Sequence, residues 1–194
     1  MKKILFFCLF FLFLSNCVNA SEEKSFYIEV YYDVFFMRVW EINGEGAKKQ
    51  IGDFPVTLTW KRYKLPKKAK ISFLELDPVW KPTPSVKARY FQKHGEHLKD
   101  EYGPGEEKNA MGAFKWYLEF VDEPGYFMGD NSTRVHEAKA LDKIGKRDSS
   151  GCVRLLHDDG IFLTKLMWGH MDRTIVYTTL EASVDNYYNY QARN

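Results

Sequence analysis

The sequence predicts a mainly β fold, a sandwich or barrel with helices at its edge. Three observations carry that expectation. Runs rich in aromatic and β-branched residues recur along the chain of 194 residues. Turn signals built on glycine, asparagine and proline separate those runs. Only two segments carry the start and stop signals of a helix.

Residues 26 to 40 (FYIEVYYDVFFMRVW) suit one or two strands, and Asn43-Gly44-Glu45-Gly46 is a turn. Ile51 to Trp60 reads as a returning strand, with Val56, Leu58 and Trp60 alternating against Thr57 and Thr59. The run from Lys61 to Lys70 holds six basic residues and no acid. Its ordinary reading is a solvated hairpin or loop; a patch for anionic wall polymers is the weaker alternative. Ile71 to Leu76 is a further strand. Asp77 to Pro84 is irregular and extended, because Pro78, Pro82 and Pro84 fix φ and remove donors.

A helix follows, with Thr83 as N-cap, Pro84 at its first position, and Val86, Tyr90 and Leu98 on one face. Gly95 interrupts that pattern. His94 and His97 lack further ligands at metal spacing and read as surface histidines. Gly103 to Gly112 is a loop, Ala113 to Val121 a strand, and Thr133 to Ala138 a short strand carrying His136. Lys139 to Gly151 reads as loop. Asp158 or Asp159 caps a helix through Ile161, Leu163, Leu166 and Met167, ended by Gly169. Thr174 to Leu180 is the final strand.

The N-terminus has the three parts of a secretory signal peptide: Lys2 and Lys3, the apolar run Ile4 to Leu14, and the small-residue site Val18-Asn19-Ala20. Cleavage is expected between Ala20 and Ser21, leaving one domain over 21–182 and a polar tail over 183–194. A lipid anchor on Cys17 is the second reading. Nothing later is long and apolar enough to span a membrane. The formal net charge of +2 is that of Lys2 and Lys3, so the mature chain is neutral. Nucleic acid is therefore not an expected partner.

With Cys8 and Cys17 in the leader, Cys152 is alone in the mature chain. A single thiol in an exported protein is either reactive or buried and inert, and count alone favours the second. Its surroundings, Ser149-Ser150-Gly151-Cys152-Val153-Arg154, favour the first. A thiolate is the nucleophile and needs a base or a positive environment. Gly151 permits close backbone approach, and the N–H groups of Ser150, Gly151 and Cys152 can form an oxyanion nest. Arg154, two residues on in an extended segment, points to the same side as Cys152. There it can bind a carboxylate and favour the thiolate. Of five histidines, His136 is the best base: in Arg134-Val135-His136, Val135 would face the core while Arg134 and His136 face outward together. From the residues alone, this Cys–His pairing is one possibility among several.

The segment from His136 to Arg154 resembles the signature of the L,D-transpeptidase (YkuD-type) family: a histidine, a loop, then Ser-His-Gly-Cys, an aliphatic residue and Arg or Asn. Pro78-Val79-Trp80-Lys81-Pro82, Gly103-Pro104-Gly105 and Asn109-Ala110-Met111-Gly112 resemble further elements of that family in order. The likeness covers about residues 25 to 180. Three positions depart from the pattern, one of them Asn109-Ala110, which lacks the family's proline. Ser150 stands where the family has a histidine, and His136-Glu137-Ala138 stands for His-Gly-Thr, placing a carboxylate near the expected mouth of the site.

The resemblance implies acyl transfer on peptidoglycan stem peptides, without metal or organic cofactor. His136 takes the proton of Cys152, D-Ala leaves, and an amine resolves the thioester. Water as acceptor gives an L,D-carboxypeptidase; an amine of a wall-anchored protein gives protein attachment. Ser149 is expected to order the loop. The rival from another class is a non-catalytic wall-binding relative. A secreted binding domain with an inert cysteine ranks last.

Overall fold

In this computed structural model the residues described are 23–60, 68–121 and 133–179. The leader, the basic run up to Lys67 and the tail from Leu180 lie outside them. Nine strands form the scaffold: β1 (Ser25–Tyr31), β2 (Phe36–Ile42), β3 (Lys48–Thr59), β4 (Lys68–Leu76), β5 (Phe114–Phe120), β6 (Arg134–Glu137), β7 (Arg147–Ser149), β8 (Val153–Leu155) and β9 (Thr174–Thr179). Two helices, α1 (Pro84–His94) and α2 (His157–Met167), complete it.

The strands run in the order β2-β1-β9-β4-β5-β6-β8-β3, and β2 pairs with β3 to close a barrel; β7 adds to β3 outside the ring. The fold is thus a barrel rather than a sandwich. Most pairings are antiparallel; β1–β9, β6–β8 and β3–β7 are parallel. Alternation sends Ile28, Val30, Val39, Val56, Trp116, Val135, Val153 and Leu155 into a single core.

The helices follow their signals with two differences. Thr83 Oγ1 accepts from the Val86 N–H at 3.3 Å, and Gly95 ends α1 in the left-handed region at φ 71°. Leu98 therefore lies beyond the helix, not on its face. Helix α2 begins at His157 with no side-chain cap, so Asp158 and Asp159 are in its first turn rather than capping it. Acids suit either place, because both meet free N–H groups at the positive end of the helix. The expected loop 139–151 contains a 3-10 turn (Leu141–Lys143) and the short strand β7.

Helix α2 packs on β4, β5 and β6. Trp116 Nε1 donates to Thr164 Oγ1 at 2.7 Å across that contact. Among the described residues no helix is long and apolar enough to cross a membrane.

Candidate active site

The site is built by register. Across β4, β5, β6, β8 and β3 one row reads Glu75, Lys115, His136, Arg154, Thr57. The next row reads Leu74, Trp116, Val135, Val153 and belongs to the core. The third reads Phe73, Tyr117, Arg134. Cys152 stands one residue before Val153, whose partner is Val135, so it flanks Arg134. Period-two alternation puts Arg134, His136, Cys152 and Arg154 on the outer face of two neighbouring strands. His136 and Cys152 are diagonal neighbours there.

His136 faces outward from the barrel yet is only 3% exposed. The loop before β5 covers it. Asn109 holds that loop, donating to the carbonyls of Pro78 (2.8 Å) and Gly103 (2.9 Å) and accepting from Met111 N–H (2.9 Å). His136 Nδ1 lies 2.9 Å from the Glu137 carbonyl, and the Ala110 carbonyl also meets the ring. Burial, reinforced by the nearby Arg154 charge, pushes the imidazole down to about 3. The imidazole is neutral at physiological pH.

Cys152 is partly exposed, but its sulfur is enclosed densely enough that desolvation raises the thiol above its ordinary range. A backbone hydrogen bond from Arg134 and the charges of Arg154 and Arg134 pull the other way and are outweighed. Arg154 favours the thiolate, as does Arg134, while loss of water opposes it more strongly. Thiol and imidazole are both uncharged.

The cysteine loop is held from beneath. Ser149 is fully buried, and its Oγ accepts from the Gly151 N–H at 3.1 Å. Gly151 has φ 154°, a conformation suited to glycine. Its N–H is thus engaged, and the expected three-amide nest is short of one donor in this loop conformation. Ser150 receives Arg89 Nη1 from α1 at 3.4 Å. Arg154 Nη1 donates to the Asp148 carbonyl (3.1 Å), with the Asp148 carboxylate at 3.8 Å. Its Nε is buried without a hydrogen-bond partner among the described residues. Arg154 also forms one wall of a cavity of about 320 Å³ lined by Trp80, Tyr90, Leu98, Asn109 and Lys139.

Glu137 lines the same cavity as Arg154, near the mouth as expected, and it is also tied down. Its carboxylate accepts from the Ala113 N–H at 2.6 Å and faces His157 at 3.3 Å. A side chain at Gly112, which has φ 71°, would overlap it. The unusual glutamate is thus a structural pin beneath the loop that covers His136. His94 and His97 stack on Tyr90 and Phe91. Sequence reasoning singled out neither Arg89 nor Lys115 as neighbours of the site. The signal for Lys115 was its alternate place between Phe114 and Trp116.

No family profile and no curated protein matches the sequence. Solved structures do. An L,D-transpeptidase from Mycobacterium smegmatis aligns at TM-score 0.51 and 11% identity, over 80% of this chain and 59% of that one. An L,D-transpeptidase in complex with imipenem aligns at 0.49 and 12%, over 80% and 59%; one from Stackebrandtia nassauensis aligns at 0.42 and 16%, over 87% and 60%. The first of these carries the comparison. The chain has the L,D-transpeptidase-type fold and spans about three fifths of the length of that protein.

Proposed function

From this shared fold, we propose that the chain is an exported cysteine acyltransferase of peptidoglycan, an L,D-transpeptidase acting through Cys152. The observation that carries the reading is the parallel pairing of β6 with β8, which gathers Cys152, His136 and Arg154 on one face. The likeness of motif order and the leader-like N-terminus support it.

Neutral His136 accepts the Cys152 proton as sulfur attacks the amide between the third residue of a tetrapeptide stem and its terminal D-Ala. Attack and proton transfer are coupled, so no buried thiolate need form first. The N–H groups of Ser150 and Cys152 meet the oxyanion while Ser149 holds Gly151. The imidazolium then protonates the departing amine, and D-Ala leaves. A second stem's amine attacks the thioester, returns its proton through His136, and forms the cross-link. Water in place of the amine gives the carboxypeptidase; a protein amine gives attachment to the wall. Arg154 orients a substrate carboxylate from the edge of the cavity.

Two observations favour a second reading. The raised Cys152 thiol and the engaged Gly151 N–H fit a non-catalytic wall-binding relative. Incubation with purified disaccharide-tetrapeptide, read by mass spectrometry, separates the two. Transpeptidation yields dimers lacking one D-Ala; tripeptide alone assigns the carboxypeptidase. Cys152→Ala is expected to lose the acyl-enzyme mass while keeping its thermal midpoint. No product and no acyl-enzyme from folded wild type would sink the catalytic reading.

A further inference from the structure

We propose that Arg134 is the carboxylate-binding residue at the nucleophile, holding a substrate carboxylate beside the Cys152 sulfur. The register places it there: Arg134 sits on β6 directly across from Cys152, one step before the Val135–Val153 pair, and two residues ahead of His136. Its backbone bonds to the thiol, and its guanidinium is near enough to favour the thiolate when the proton leaves.

The guanidinium is held in place by its neighbours. It lies 4.7 Å over the Tyr117 ring, and Nη1 donates to the Thr133 carbonyl at 3.1 Å. Among the described residues no carboxylate forms an ion pair with it. Arg154 differs, since Asp148 meets it with both carbonyl and carboxylate. A partly buried cation with no acid partner among the described residues is held at a cost of desolvation that an anionic ligand would offset. Its planar fork, preset by the ring beneath it, suits a carboxylate.

A carboxylate one residue beyond a scissile carbonyl lies within reach of a side chain next to the nucleophile. Naming it as that of the terminal D-Ala rests on the stem-peptide reading; the binding itself does not. Arg134 would then select stems that end one residue past the attacked amide, and Arg154 would serve the other side of the cleft.

Paired alkylation tests this. The full-length protein is treated with iodoacetate or iodoacetamide, and rates are read by mass spectrometry on the peptide containing Cys152. Both reagents meet the same thiolate, so their rate ratio cancels any change in its population. Wild type is expected to favour iodoacetate by on the order of tenfold over the ratio for free cysteine. Arg134→Gln should return the ratio to the free value, Arg134→Lys should restore part of it, and Arg154→Gln should keep most of it. A ratio unchanged in Arg134→Gln, or one lost with Arg154 instead, overturns the assignment. A measurement on wild type alone guards against a variant that does not fold. N-acetyl-D-alanine should slow iodoacetate more than its amide does, and equal protection counts against the proposal. The ratio needs no turnover. A protein that keeps it yet processes no stem peptide refutes the stem-peptide reading and leaves this one standing.

Discussion

His136 and Cys152 are uncharged for one reason, loss of water around both. For the histidine this links charge to stability. Its folded value of about 3 lies below the unfolded value near 6.5. The unfolded chain therefore binds the proton more readily. The contribution is fully present above pH about 6.5 and is lost as pH falls toward 3. Denaturant midpoints should drop more steeply over that window in wild type than in His136→Gln; equal slopes would show that the imidazole is not buried. The sequence displayed the outward alternation of Arg134 and His136 around Val135. It did not display the covering loop, because the contact comes from Asn109 to Met111, remote in sequence. For the same reason only part of the thiol's environment was legible: neighbouring cations are visible in a motif, and desolvation is not. Glu137 shows the limit most clearly. Its carboxylate near the mouth of the site was legible; its bond to the Ala113 N–H and its packing against Gly112 were not.

Individual elements were legible where local chemistry fixes them. Thr83, Pro84 and Gly95 marked α1 at both ends, and Gly169 marked the region where α2 stops. The strand β7, three residues long, carries too few positions to show a period. Docking of α2 depends on a position with no sequence signal: the Cα of Gly160 faces the Phe114 ring so closely that an added methyl would overlap it. Gly160→Ala is expected to destabilise the protein by about 1–3 kcal/mol, despite alanine's better helix propensity. Chemical denaturation measures it, and a stabilised variant would show that α2 stands off the sheet.

At the scale of the whole molecule, the choice between sandwich and barrel was open in the sequence, because both use the same alternation. One seam of the ring is β2–β3, where Arg38 Nε and Nη2 donate to the two Asp53 carboxylate oxygens at 2.6 and 2.8 Å. Both side chains are 4% exposed. Asp53→Asn removes one charge of a buried pair and is expected to cost about 3–5 kcal/mol, read as a fall in thermal midpoint. A loss below 1 kcal/mol would mean that water reaches the seam. The ring has a second junction with a different consequence. Strand β9 enters between β1 and β4, pairing in parallel with the first strand of the barrel. Until those residues arrive, every preceding pairing can exist and the sheet still has two bare edges. Ring closure thus waits for one of the longest-range contacts in the chain, a slow step by loop-closure entropy. During that wait β1 and β4 are templates for a neighbouring chain. Strand β9 thus acts as a lock on the ring, covering two edges that would otherwise stay open to other chains.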